Sequence, residues 1–120
     1  MDEKIQYLKN NAQQWPGVTV VYREDWGCDY FAIENKCFCM LGTNKVGEKI
    51  MTVKGNPEEN ELLREQYPDV VPGYYANKTH WNSFTLENSS FTEEQLAAFL
   101  KKSYELVLKK QPKKIQMKYM

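Results

Sequence analysis

Residues 91–108 carry the most restrictive pattern in this chain. Thr92 and Gln95 stand three apart, the spacing of a capping box, in which a hydroxyl and an amide satisfy free N–H groups at a helix start. Phe91 and Leu96 occupy the two positions of a hydrophobic staple around them. Leu96, Phe99, Leu100, Tyr104, Val107 and Leu108 then recur at helical spacing over about 17 residues. An apolar face that broad must lie on another apolar surface.

The remaining chain supplies that surface as strands. Residues 2–14 predict a first helix, with Ile5, Leu8, Ala12 and Trp15 on one stripe, Asp2 placed to cap it and Pro16-Gly17 to stop it. Residues 18–23, 30–34, 37–41 and 49–54 predict strands, rich in β-branched and aromatic residues. Asn35-Lys36 is the expected two-residue hairpin turn, and residues 42–47 form a longer loop. Short links between consecutive strands favour an antiparallel meander. Asn56, Pro57 and Glu59 mark the start of a helix over 57–66, with Leu62, Leu63 and Tyr67 on its apolar side. Residues 68–77, broken by Pro68, Pro72 and Gly73, read as irregular, and 81–86 as a last strand. Pro112 lies beyond the final helix, and a flexible basic tail is expected from about residue 112. The expected fold is one α+β domain over 1–120, a two-layer sandwich with helices on one face of an antiparallel sheet. Several strand runs are apolar on both sides.

Composition narrows the function. The chain has 120 residues, 42% hydrophobic and 27% charged, enough for one core and too few for two ordinary domains. No apolar run approaches the roughly 18 residues of a membrane span, so no membrane partner is expected. Met1-Asp2-Glu3-Lys4 lacks the basic-then-apolar order of an export leader. Together with three cysteines, an odd number, this favours reduced thiols and a cytoplasmic location. Cys37 and Cys39 are too closely spaced for a usual zinc pair and no second pair exists, so with Cys28 they read as small buried hydrophobes. No metal and no cofactor is expected, and the chain is expected to be a monomer. The net charge is zero, but residues 101–120 hold seven lysines against one acid, Glu105. That end reads as cations suiting a helix dipole and a solvated tail, or as a phosphate-binding arm.

Most chemical signatures are missing. There is no Gly-rich phosphate loop or dinucleotide fingerprint, and Glu58-Glu59 and Glu93-Glu94 belong to helix first turns. Residues 74–82 are the unusual stretch, with Tyr74, Tyr75 and Trp81 beside Lys78, His80, Asn77 and Asn82. Three readings are open: polar side chains that tie down a loop, a surface that stacks a ring or base, and acid–base chemistry by His80. His80 is the sole imidazole, and no nucleophile is marked for it.

These residues, with others along the chain, resemble the small bacterial MmcQ/YjbR proteins. The match runs through Pro16-Gly17-Val18, Lys36-Cys37-Phe38-Cys39, Pro57-Glu58-Glu59 and Leu63-Arg64-Glu65-Gln66-Tyr67-Pro68. It continues through Val71-Pro72-Gly73-Tyr74, Asn77-Lys78, His80-Trp81-Asn82, Ser103-Tyr104-Glu105-Leu106-Val107 and Pro112-Lys113-Lys114. The resemblance implies a frataxin-like (CyaY-like) two-layer fold and a DNA-binding protein with a double-wing motif. The wings would be hairpin loops near Asn35-Lys36 and at residues 43–49. Lys36, Lys45 and Lys49 would then meet phosphates, and Tyr74, Lys78, His80, Trp81 and Asn82 would line a central surface. The alternative is a small-ligand or protein-interaction module using residues 74–82. No enzyme activity is implied. Frataxins resembling this fold use an acidic ridge on the first helix. Here that helix offers only Asp2 and Glu3 beside Lys4 and Lys9, so iron is not expected.

Overall fold

The capping box closes as its spacing requires: Thr92 Oγ1 accepts the Gln95 N–H at 3.1 Å, and Gln95 Oε1 accepts the Thr92 N–H at 2.9 Å. These distances come from a computed structural model that describes residues 2–74 and 76–119. In chain order the elements are α1 (Asp2–Gln13), β1 (Val18–Arg23), β2 (Cys28–Ile33), β3 (Lys36–Thr43) and β4 (Lys49–Lys54). They continue as α2 (Pro57–Gln66), β5 (Val70–Pro72), β6 (Trp81–Thr85), α3 (Glu93–Lys109) and α4 (Lys113–Tyr119). The strands form one antiparallel sheet in the order β1-β2-β3-β4-β6-β5.

Helices α1 and α3 cover one face of this sheet, as the two-layer expectation holds. Leu8 and Ala12 of α1 and Leu96, Leu100, Tyr104 and Val107 of α3 meet Phe31, Phe38, Met51 and Phe84 in the core. A β-bulge sharpens this packing. Phe31 pairs with Cys39 and Ala32 with Cys37, so Phe38 is an extra residue with no partner on β2. Phe38 and Cys39 are therefore both turned into the core. The buried Ser103 hydroxyl donates to the Phe38 carbonyl at 2.7 Å.

Three details differ from the sequence reading. The β2–β3 turn is Glu34-Asn35, both at positive φ (49° and 64°), one residue before the expected Asn35-Lys36. Those angles suit a primed hairpin turn. Residues 70–72, expected to be irregular, form the short edge strand β5, because β6 offers a free ladder to pair with. The tail from about 112, expected to be flexible, contains α4. The Tyr119 hydroxyl of α4 donates to Glu34 Oε1, and a β-carbon at Gly17 would come within 2.6 Å of the Tyr119 ring. Gly17 also sits at φ +78°, a conformation that favours glycine. The expected Asp2 cap concerns a side chain outside the described residues, as does Tyr75.

Candidate functional site

Strand alternation decides what faces away from the helices. Met51 and Val53 of β4 point into the core, so Ile50, Thr52 and Lys54 belong to the opposite face. The register extends that face across the sheet: Tyr30 pairs with Met40, Met40 with Thr52 and Thr52 with Ser83. An antiparallel sheet open to water on one side usually shows polar residues there. Here the row carries a tyrosine and a methionine, and its neighbours are Cys37, Ile50 and Trp81. Those are the runs that read as apolar on both sides.

Two segments wall this face. The β1–β2 loop brings Asp25, Trp26 and Gly27 to one end, and the stretch after β5 brings Tyr74, Ala76 and Asn77 over the other side. Ser83 Oγ shares a 2.7 Å hydrogen bond with Thr52 Oγ1 and accepts the Tyr74 N–H at 3.1 Å, which turns that stretch over the sheet. Gly73 packs directly on Trp81, where a β-carbon would come within 2.7 Å of Trp81 Cβ. The space between is a cleft of about 800 Å³, lined by Trp26, Tyr30, Met40, Ile50, Tyr74 and Trp81 among others. Small-molecule sites commonly fall at roughly 300–1,000 Å³.

The electrostatics are mild. Asp25 is the one charged side chain among the described lining residues. Arg23 bonds it at 3.3 and 3.4 Å, and that hydrogen bond holds the Asp25 carboxyl below its ordinary range and the Arg23 guanidinium above its own. The same guanidinium lies 4.4 Å from the Trp26 ring centroid and 5.3 Å from that of Tyr30. Burial pushes the Cys37 thiol up to about 11, so at neutral pH it is a protonated thiol and not a nucleophile. Burial also raises Cys28, Cys39 and the Tyr30 hydroxyl. Among the described residues no three of His, Cys, Asp and Glu gather to hold a metal ion.

The residues singled out from the sequence are distributed unevenly. Tyr74 and Trp81 line the cleft. Asn82, one residue on, points the other way and is buried: Arg64 Nε donates to its Oδ1 at 2.6 Å, and its Nδ2 donates to the Asn60 carbonyl at 3.2 Å. Arg64 also donates to the carbonyls of Lys78 and Trp81, and Asn60 Nδ2 to that of Thr79. Asn77 Oδ1 accepts the N–H groups of Thr79 and His80. Much of the polar content of residues 77–82 therefore fastens this loop to α2. His80 is half buried, its Nδ1 has no hydrogen-bond partner among the described residues, and it does not line the cleft. Lys78 is exposed, with its ammonium 3.4 Å from the Gly73 carbonyl.

The lysines expected on two wings do not converge. Lys36 lies at the β2–β3 end of β3, while Lys45 and Lys49 lie at the β3–β4 end, roughly 25 Å away at the usual rise of a strand. Lys36 and Lys49 each neighbour a cleft-lining residue, Cys37 or Ile50, and alternation directs both to the helix side. Trp26, Tyr30, Met40 and Ile50 were not anticipated: the last three are large apolar residues where a solvated sheet face would be polar, and Trp26 lies in the β1–β2 loop. No helix among the described residues is long and apolar enough to cross a membrane.

Comparison with known proteins gives a consistent picture. A family model described as YjbR matches residues 13–106. The chain is 30% identical over 90 residues to the uncharacterized protein YjbR of Escherichia coli K12, covering 75% of each. It is 32% identical over 80 residues to the uncharacterized protein YbdF of Escherichia coli O157:H7, covering 67% of this chain and 64% of that one. Among solved structures it is similar to the Deinococcus radiodurans protein DR2400, a DUF419 domain, with TM-score 0.78, 26% identity and coverage of 88% and 79%. A Pseudomonas syringae protein shares the fold at TM-score 0.68 and 19% identity, over 84% of this chain and 96% of that one.

Proposed function

The chain belongs to the YjbR family, and from that footing we propose that its open sheet face is a binding cleft for a small, ring-bearing molecule, used without catalysis. One observation carries the reading: a cleft of about 800 Å³ is walled by Trp26, Tyr30, Tyr74 and Trp81 over a floor of Met40 and Ile50, with no lysine or arginine among its described lining residues. Aromatic walls hold flat rings by stacking and by area removed from water. Phosphate backbones need cations along the contact surface instead.

A second reading, DNA binding through loop and C-terminal lysines, is favoured by the exposed Lys109, Lys110, Lys113 and Lys114 at the end of α3 and the start of α4. The two are separated by experiment. Titration with 1-naphthalenemethanol, followed by tryptophan fluorescence, is expected to saturate below about 1 mM, the scale that ligand efficiency allows for a molecule of this size. Trp81→Ala is expected to abolish that saturation while leaving the circular dichroism spectrum unchanged. No saturable binding by the native protein would overturn the cleft reading. Duplex or single-strand DNA binding tighter than about 100 μM at low salt, falling steeply as salt rises, would favour the second.

A further inference from the structure

We propose that this cleft takes an aromatic ring bearing one anionic group, with the anion held at the end where Lys54 stands. The inference rests on the binding-cleft reading above and adds the charge and orientation of the ligand.

The two ends of the cleft differ chemically. At the Trp26 end, Asp25 is already matched by Arg23, and the guanidinium lies against Trp26 and Tyr30. A ligand anion placed there would face the Asp25 carboxylate, and a ligand cation would meet the Arg23 guanidinium. The other end has no such internal pair. Lys54 is directly opposite Trp81 in the β4–β6 ladder. It lies two residues beyond Thr52 and four beyond Ile50, both of which line the cleft, so alternation puts it on the same face. It is half buried, and among the described residues it takes part in no ion pair. Its charge reaches the wall of the cleft, where it counts among the influences that lower the Cys37 thiol against the larger effect of burial. Lys54 stands at the rim, between the cleft-lining Cys37 and Trp81 and beside the neighbouring hollow that Glu59 and Glu105 line, without an ion pair to either. A ligand anion beside Trp81 would meet this ammonium while its ring lies on Met40 and Ile50.

A carboxylate and a phosphate monoester share this chemistry, so the test carries both. Dissociation constants for 1-naphthoate, 1-naphthyl phosphate and the neutral 1-naphthalenemethanol are measured at low salt for the native protein, Lys54→Gln and Lys54→Arg. At least one anion is expected to bind about tenfold more tightly than the alcohol, the scale of one charge-assisted hydrogen bond. Lys54→Gln is expected to erase that ratio without changing binding of the alcohol, and Lys54→Arg to keep it. The better of the two anions identifies the source of the charge. An alcohol that binds as well as both anions, or an anion preference that survives Lys54→Gln, overturns this inference and leaves the cleft reading standing. Failure of all three probes to bind overturns both.

Discussion

On the helix-covered face of the sheet, Phe31, Phe38, Met51 and Phe84 are enclosed by α1 and α3. On the opposite face, Tyr30, Met40, Ile50 and Trp81 surround the Thr52–Ser83 hydroxyl pair, and the segments around Trp26 and Tyr74 stand over them. The first face is a core in which each ring meets others, as Phe38 does with Trp15, Phe31 and Tyr104. The second mixes large apolar side chains with hydroxyls and has no helix over it. An apolar sheet face left uncovered by its own helices costs solubility unless it has a use. The contrast is what points to a ligand.

The covered face should respond most strongly to truncation. Phe38→Ala is expected to cost about 3–5 kcal/mol in urea unfolding, because it empties the centre of the core. The adjacent pair Trp81 and Asn82 sharpens the contrast, since one points to each face. Asn82→Ala is expected to cost about 2–3 kcal/mol, because at a buried position it removes the acceptor of Arg64 Nε and a donor to the Asn60 carbonyl. Trp81→Ala is expected to cost clearly less than Phe38→Ala in the same measurement, as a partly buried wall residue. A Trp81→Ala loss as large as that of Phe38→Ala would make the open face a core and remove the contrast.

The smallest effect concerns α4. The Tyr119 hydroxyl, with Lys118 second, holds the Glu34 carboxyl below its ordinary range. A carboxyl depressed in the folded state stabilises that state fully above its unfolded pKa, about 4.3. The contribution is lost as pH falls through the lower folded value. The Tyr119 ring resonances are therefore expected to be constant near neutrality and to move only below about pH 4.3. Glu34→Gln should remove that acid step, and a step near neutral pH would contradict the assigned tie.

Local signals were the legible ones. The α3 cap, the Asn56 cap of α2 and the stop at Pro16-Gly17 depend on residues a few positions apart, and they formed where their spacing put them. The turn register was not local. Glu34 takes a positive φ that its type disfavours, and the partner of its carboxylate is Tyr119, 85 residues on. Two of the six large cleft residues, Tyr74 and Trp81, were legible in residues 74–82. The other four, Trp26, Tyr30, Met40 and Ile50, are spread over one loop and three strands and meet only through the ladder register. The polar residues that made the 74–82 stretch conspicuous largely serve α2: Asn82 takes the Arg64 guanidinium, and Asn77 holds the turn beneath it.

Nuclear magnetic resonance of methyl- and indole-labelled protein, titrated with 1-naphthalenemethanol, reports on both faces of the sheet at once. Saturable shifts at Met40, Ile50 and the Trp26 and Trp81 indoles, with Leu96 and Leu100 on the far side of the sheet unmoved, are the predicted result. Shifts centred on the α1–α3 side, or none at any concentration the alcohol reaches in water, would contradict the cleft reading.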